Sequence, residues 1–208
     1  MNPIRSIPLR GFLILLMLWL AAVPLRGVAD ETAQRRAEQI QRALRAGNMA
    51  LIEDDLDRAQ RFFEAVLRTE PRNREARFGM GTLHIQTGDY PSAIDILEEL
   101  AEEFPQDFMV HNNLAWVYAT AEDAQFRDGD RAVALAQQAL LNEPNSHHVW
   151  STLSQAHFET GNYDQSFRAA RQALQLSQRQ GADAQSVQDY RQQVDRSQRA
   201  AQALSIVD

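Results

Sequence analysis

Residues 74–107 read REARFGMGTLHIQTGDYPSAIDILEELAEEFPQD, and this stretch decides the fold. Ala76, Met80, Leu83 and His84 recur at helical spacing, and Gly88-Asp89 then halts the helix. A second helix follows, with Pro91 in its first turn, where the missing N–H is harmless. Its apolar stripe is Ala93, Ile94, Leu97, Leu100 and Ala101. Pro105 ends the unit, because proline inside a helix clashes with the preceding turn. Gly81 and Ala93 are small where the two antiparallel helices should cross.

The pattern recurs about every 34 residues between Ile40 and Gln180. From His147 it carries Trp150, Leu153, Gly161-Asn162-Tyr163 and Ala173, with Ser154 and Ser166 at the small positions and Gln178 where a closing proline is expected. The copy from Phe108 carries Leu114, Ala115 and Tyr118, then Ala132, Ala136, Ala139 and Pro144. It is longer by about five residues, placed in a widened loop at Ala121–Asp130. The earliest copy has a clear second helix (Leu56, Ala59, Phe62, Phe63, Val66, Leu67, then Pro71). Its first helix falls within Ala33–Ile52, with Gly47 as the crossing residue, and its turn Glu53-Asp54-Asp55 lacks the Gly-Asp pair. A unit of this size cannot bury its apolar face alone, so the copies must stack.

These residues resemble the tetratricopeptide repeat family: the small Gly81, the Gly88-Asp89-Tyr90 turn, Ala93 and Pro105, and their counterparts near His147. The resemblance implies an all-α, right-handed superhelical solenoid of antiparallel helix pairs. The reading assigns repeats to residues 30–73, 74–107, 108–146 and 147–180. A C-terminal capping helix follows in 181–208, running about Gln185 to Ile206 with one narrow apolar stripe through Val187, Tyr190, Val194, Ala201 and Leu204.

The family binds partner segments across the exposed side of the first helices. Mapped here, that concave groove takes Asn48 and Leu51, then Phe78, Thr82 and Ile85, then Asn112, Trp116 and Ala119, and finally Ser151, Gln155 and Phe158. Phe78, Trp116 and Phe158 form a spaced aromatic row, either groove anchors or internal packing. Asn and Gln could bond a peptide backbone. Members that capture a C-terminal carboxylate need cations in the groove; the matching positions hold Leu44, Asn48, Gly79, Met109 and Asn113, so that mode is set aside.

Residues 1–29 read as a cleaved signal peptide: Arg5 and Arg10, an apolar run from Phe12 to Val23, then Gly27-Val28-Ala29. An apolar run of that length spans about 18 Å as a helix, short of the roughly 30 Å hydrocarbon core. The expected location is the periplasm or beyond; the alternative is a retained inner-membrane anchor facing the periplasm.

The net charge of −7, which deepens when the leader's arginines leave, argues against nucleic acid as a partner. Cysteine is absent, which removes disulfides, thiolate nucleophiles and cysteine metal sites. No phosphate-cradling glycine loop, nucleophile elbow or His-Glu-x-x-His helix occurs. Asp128-Gly129-Asp130 fails the calcium-loop pattern, and the histidines lack zinc spacing. The expectation is a non-catalytic scaffold with no cofactor and no metal, whose partner is another protein or peptide; a self-associating structural module is the alternative.

Overall fold

The computed structural model describes the backbone of residues 9–205 and the side chains of residues 31–205. The expected signal peptide falls outside the described side chains. Among the described residues nine α-helices follow one another: α1 (Leu9–Ile52), α2 (Leu56–Thr69), α3 (Arg74–Thr87), α4 (Tyr90–Glu103), α5 (Phe108–Thr120), α6 (Gly129–Asn142), α7 (His147–Glu159), α8 (Tyr163–Gln180) and α9 (Ala184–Leu204). No strand occurs among them. Each helix packs chiefly on its chain neighbours. The odd-numbered helices also touch each other along one side of the stack, so α1, α3, α5, α7 and α9 form a row.

The helix ends follow from local chemistry. The side chains of Asp55, Asn73, Asp89, Asp107, Asp128, Ser146 and Asp183 each accept from a backbone N–H in the first turn of the next helix. Gly88, Gly161 and Gly181 end their helices in the left-handed conformation. In the first turn that place is held by Asp54, at φ 59°, so the missing glycine is replaced by a residue type that tolerates the left-handed region. Between pairs, the segments 70–73, 104–107 and 143–146 close with backbone bonds of 2.9, 3.0 and 3.2 Å around Pro71, Pro105 and Pro144. Gln178 supplies no such stop, so α8 continues to Gln180 before Gly181 ends it.

The widened loop is shorter than the sequence suggested, because Asp128 caps α6 and the helix opens at Gly129. The loop holds a 3-10 turn at Ala124–Phe126 and is pinned to α4. Phe126 lies 5.9 Å from the Tyr90 ring, and the Glu122 N–H donates to the Tyr90 hydroxyl at 3.2 Å.

The core lies between helix pairs as well as within them. Leu44, Phe63, Ala76 and Leu83 join α1, α2 and α3; Leu97, Val110, Tyr118 and Ala156 join α4, α5 and α7. A further group, Ala115, Ala136, Leu153 and Ala169, ties α5 through α8. Arg77 of α3 reaches Glu99 at 2.8 Å and Glu103 at 2.7 Å on α4. These two α4 acids, both exposed, thus bridge the helices of one pair.

Candidate functional groove

The row of first helices curves until α3 and α9 face the same space. A cavity of about 430 Å³ opens there. Helix α3 contributes Thr82, Ile85 and Gln86; α5 contributes Asn112, Asn113 and Trp116; α7 contributes His148, Ser151 and Thr152. The fourth wall is α9, through Ser186, Asp189, Tyr190 and Gln193.

Its floor is a directed chain of hydrogen bonds. Asn112 Nδ2 donates to Asn113 Oδ1 at 3.4 Å, Asn113 Nδ2 donates to Thr82 Oγ1 at 3.1 Å, and the Thr82 hydroxyl donates to the Phe78 carbonyl at 3.0 Å. At the head of this chain Asn112 Oδ1 is buried and has no partner among the described residues. An incoming N–H or O–H would complete it and polarise the bonds behind it. One helical turn on, Trp116 presents an indole N–H with no partner among the described residues. An unused acceptor and an unused donor thus stand one turn apart on α5, with Ile85 as the apolar surface opposite.

The α7–α9 side is already closed on itself. The Ser151 hydroxyl and the Gln193 amide bond at 3.0 and 2.9 Å. The Tyr190 hydroxyl lies 3.0 Å from His147 Nδ1 and 3.2 Å from His148 Nδ1. Burial lowers the pKa of both histidines, with His148 adding repulsion at His147, and burial pushes the Tyr190 phenol up to about 12. All three groups are therefore neutral near pH 7.

Of the residues assigned to the groove, Thr82, Ile85, Asn112, Trp116 and Ser151 line this one cavity. The others lie elsewhere. Asn48 is exposed and donates to Glu75 at 3.3 Å. Phe78 is half-buried against the α4–α5–α7 core. Gln155 accepts from Arg196 at 2.9 Å, and the same guanidinium sits 3.6 Å above the Phe158 ring. The aromatic row is therefore split: only Trp116 faces the cavity. Leu44 and Gly79, matched to clamp positions, are buried, and the Phe63 ring fills the space beside Gly79. Sequence reasoning missed the α9 wall. Its signal was Ser186, Asp189 and Gln193 at helical spacing, on the flank of the apolar stripe.

Among the described residues no three His, Asp or Glu side chains converge as a metal site. Among residues 31–205 no helix is long and apolar enough to cross a membrane.

Two family models described as tetratricopeptide repeat match residues 50–117 and 119–184. The chain is 30% identical over 142 residues to the cellulose synthase 2 operon protein C of Komagataeibacter xylinus. That match covers 67% of this chain but only 10% of the relative. Among solved structures, the chain is similar to TTC0263, a thermophilic TPR protein of Thermus thermophilus. The TM-score is 0.59 at 19% identity, over 79% of this chain and 98% of that one. MamA of Desulfovibrio magneticus RS-1 matches at TM-score 0.55 and 16% identity, covering 81% and 93%. An O-GlcNAc transferase of Thermobaculum terrenum matches at 0.56 and 24%, covering 69% of this chain and 26% of that one. At these identities the structures share the fold.

Proposed function

The chain belongs to the tetratricopeptide repeat family, whose proteins generally mediate protein–protein interaction, and from that premise we propose a non-catalytic scaffold that holds a partner segment in the cavity between α3, α5, α7 and α9. One observation carries the reading: Asn112 Oδ1 is a buried acceptor without a donor among the described residues, beside the unused indole N–H of Trp116. A peptide backbone offers one N–H and one C=O per residue, which is the complement of that pair. The rest of the wall is preorganised by the Ser151–Gln193 and Tyr190–histidine bonds, so little ordering is lost on binding.

The setting we propose is the bacterial envelope. The signal-peptide pattern in residues 1–29 supports export, and the likeness to a cellulose synthase operon protein supports an envelope assembly. The chain spans a tenth of that relative's length, so no partner is carried over from it.

The test is a crosslinked pull-down of the tagged full chain from envelope fractions of its host. Wild type is compared with Asn112→Ala and Trp116→Ala, each shown to be helical by circular dichroism. We expect a partner that is lost at least tenfold in both variants. A partner retained by both would move recognition off this cavity, and capture of the chain alone would favour the self-associating module.

A further inference from the structure

The terminal helix of a repeat array is expected only to cover the last pair, yet α9 supplies four of the residues lining the cavity. Among the described residues it also supplies the single formal charge there. Apart from Asp189, the lining is apolar or neutral, His148 included, since burial lowers its pKa. No arginine among the described residues lines the cavity, and the chain has no lysine at all. Asp189 is exposed and accepts from Gln185 Nε2 at 2.8 Å; it makes no ion pair among the described residues.

We propose that α9 sets the charge of the ligand: the groove takes an extended segment of another protein that carries an arginine or lysine, whose side chain reaches Asp189 while its backbone pairs with Asn112 on the opposite wall. The inference rests on the groove reading above and adds the partner's chemistry. The curvature places the acceptor on α5 and the carboxylate on α9 across one cavity, so a single segment meets both. An acidic segment would meet an uncompensated carboxylate with no cation to offset it, and a neutral one would leave Asp189 as it is now. A cation adds an attraction that neither can supply. Because Asp189 is exposed, the preference is modest and salt-sensitive. Charge discriminates here, and the Asn112–Trp116 pair holds.

The experiment selects random dodecapeptides displayed on phage against the full chain, in parallel with Asp189→Asn and Trp116→Ala. Peptides selected on wild type should be enriched in arginine and lysine over the unselected library, and those selected on Asp189→Asn should not. An individual wild-type binder should bind Asp189→Asn about two- to fivefold more weakly at low salt, the range of an exposed ion pair, and the gap should close at roughly 0.5 M NaCl. Selected peptides without basic enrichment, or with equal affinity for wild type and Asp189→Asn, would overturn the charge assignment and leave the groove standing. Peptides that bind Trp116→Ala as well as wild type would overturn the groove itself.

Discussion

The α1–α2 and α7–α8 pairs hold their helices at close approach by opposite means. At the first crossing a full aromatic ring fills the gap: Phe63 is fully buried, and a Cβ on Gly47 would come within 2.7 Å of it, one on Gly79 within 2.4 Å. The matching residue is Leu97 in α4, Ala136 in α6 and Ala170 in α8, all fully buried. The first-helix residue at the crossing changes in compensation, from Gly47 and Gly81 to Ala115 and Ser154. Large wedges face glycine and small wedges face a residue with a Cβ, so summed volume at the crossing is kept while its division between helices changes. At the last crossing polarity enters as well. Ser154 and Ser166 each donate to the other's backbone carbonyl, at 3.0 and 2.8 Å, and Ser166 meets Ser197 of α9 at 2.7 Å.

The most severe break in this comparison is Phe63→Ala. It removes the wedge between two glycines that cannot collapse inward, and should cost about 3–5 kcal/mol in urea unfolding. Adding Gly47→Ala imports the α5–α6 solution, an alanine facing an alanine. The double variant should recover about 1 kcal/mol, from the refilled volume and the better helix former. A double variant no more stable than Phe63→Ala would mean that the volume trade is not what sets the spacing.

A smaller effect is expected from Ser166→Ala, which leaves the buried Ser197 hydroxyl without its partner. An unsatisfied buried hydroxyl costs about 1–2 kcal/mol. Replacing Ser154, Ser166 and Ser197 together by alanine removes donors and acceptors as a set, and the dry Gly81–Ala93 crossing shows that the geometry does not need them. The triple variant should be more stable than the single one; the reverse order would show the hydroxyls to be a net source of stability.

How much of this was legible beforehand depends on how far each feature reaches along the chain. Turns, caps and closing prolines act within a few residues, and Gly88, Asp89 and Pro105 could be read directly. Asp54 could not, because the left-handed turn belongs to the backbone and the sequence shows only a run of acids. The cavity was half visible. Thr82, Asn112 and Trp116 follow from the repeat register, but their meeting with Asp189 depends on curvature accumulated over the whole stack. Phe158 was assigned to the groove face of α7, and nothing in its place along the chain reveals that Arg196, from a helix outside the period, lies over its ring.

The finest contrast is a histidine, and it sets α7–α8 against the α3–α4 pair. His84 Nδ1 lies 3.0 Å from Asp89 Oδ2, while His157, at the same place in α7, has a buried Nδ1 with no partner among the described residues. The residue matching Asp89 is Asn162, which makes no side-chain cap and gives its amide to Thr160 Oγ1 at 2.8 Å. Burial, with Arg168 adding repulsion, lowers the pKa of His157. A lowered histidine pKa contributes stability that is complete above the unfolded value of about 6.5 and is lost as pH falls through the folded value. Asn162→Asp restores both the cap and the counter-charge. The cap alone should add about 0.5–1 kcal/mol at any pH where the carboxylate is ionised. The new ion pair should raise the His157 pKa, and this part of the gain appears only as the imidazole protonates. The variant's advantage in thermal unfolding should therefore be larger near pH ~5.5 than near pH ~7.5, with the His157 ring resonance titrating at higher pH than in wild type. An equal gain at both pH values would mean that the introduced carboxylate serves the helix end alone and that His157 stays unpaired.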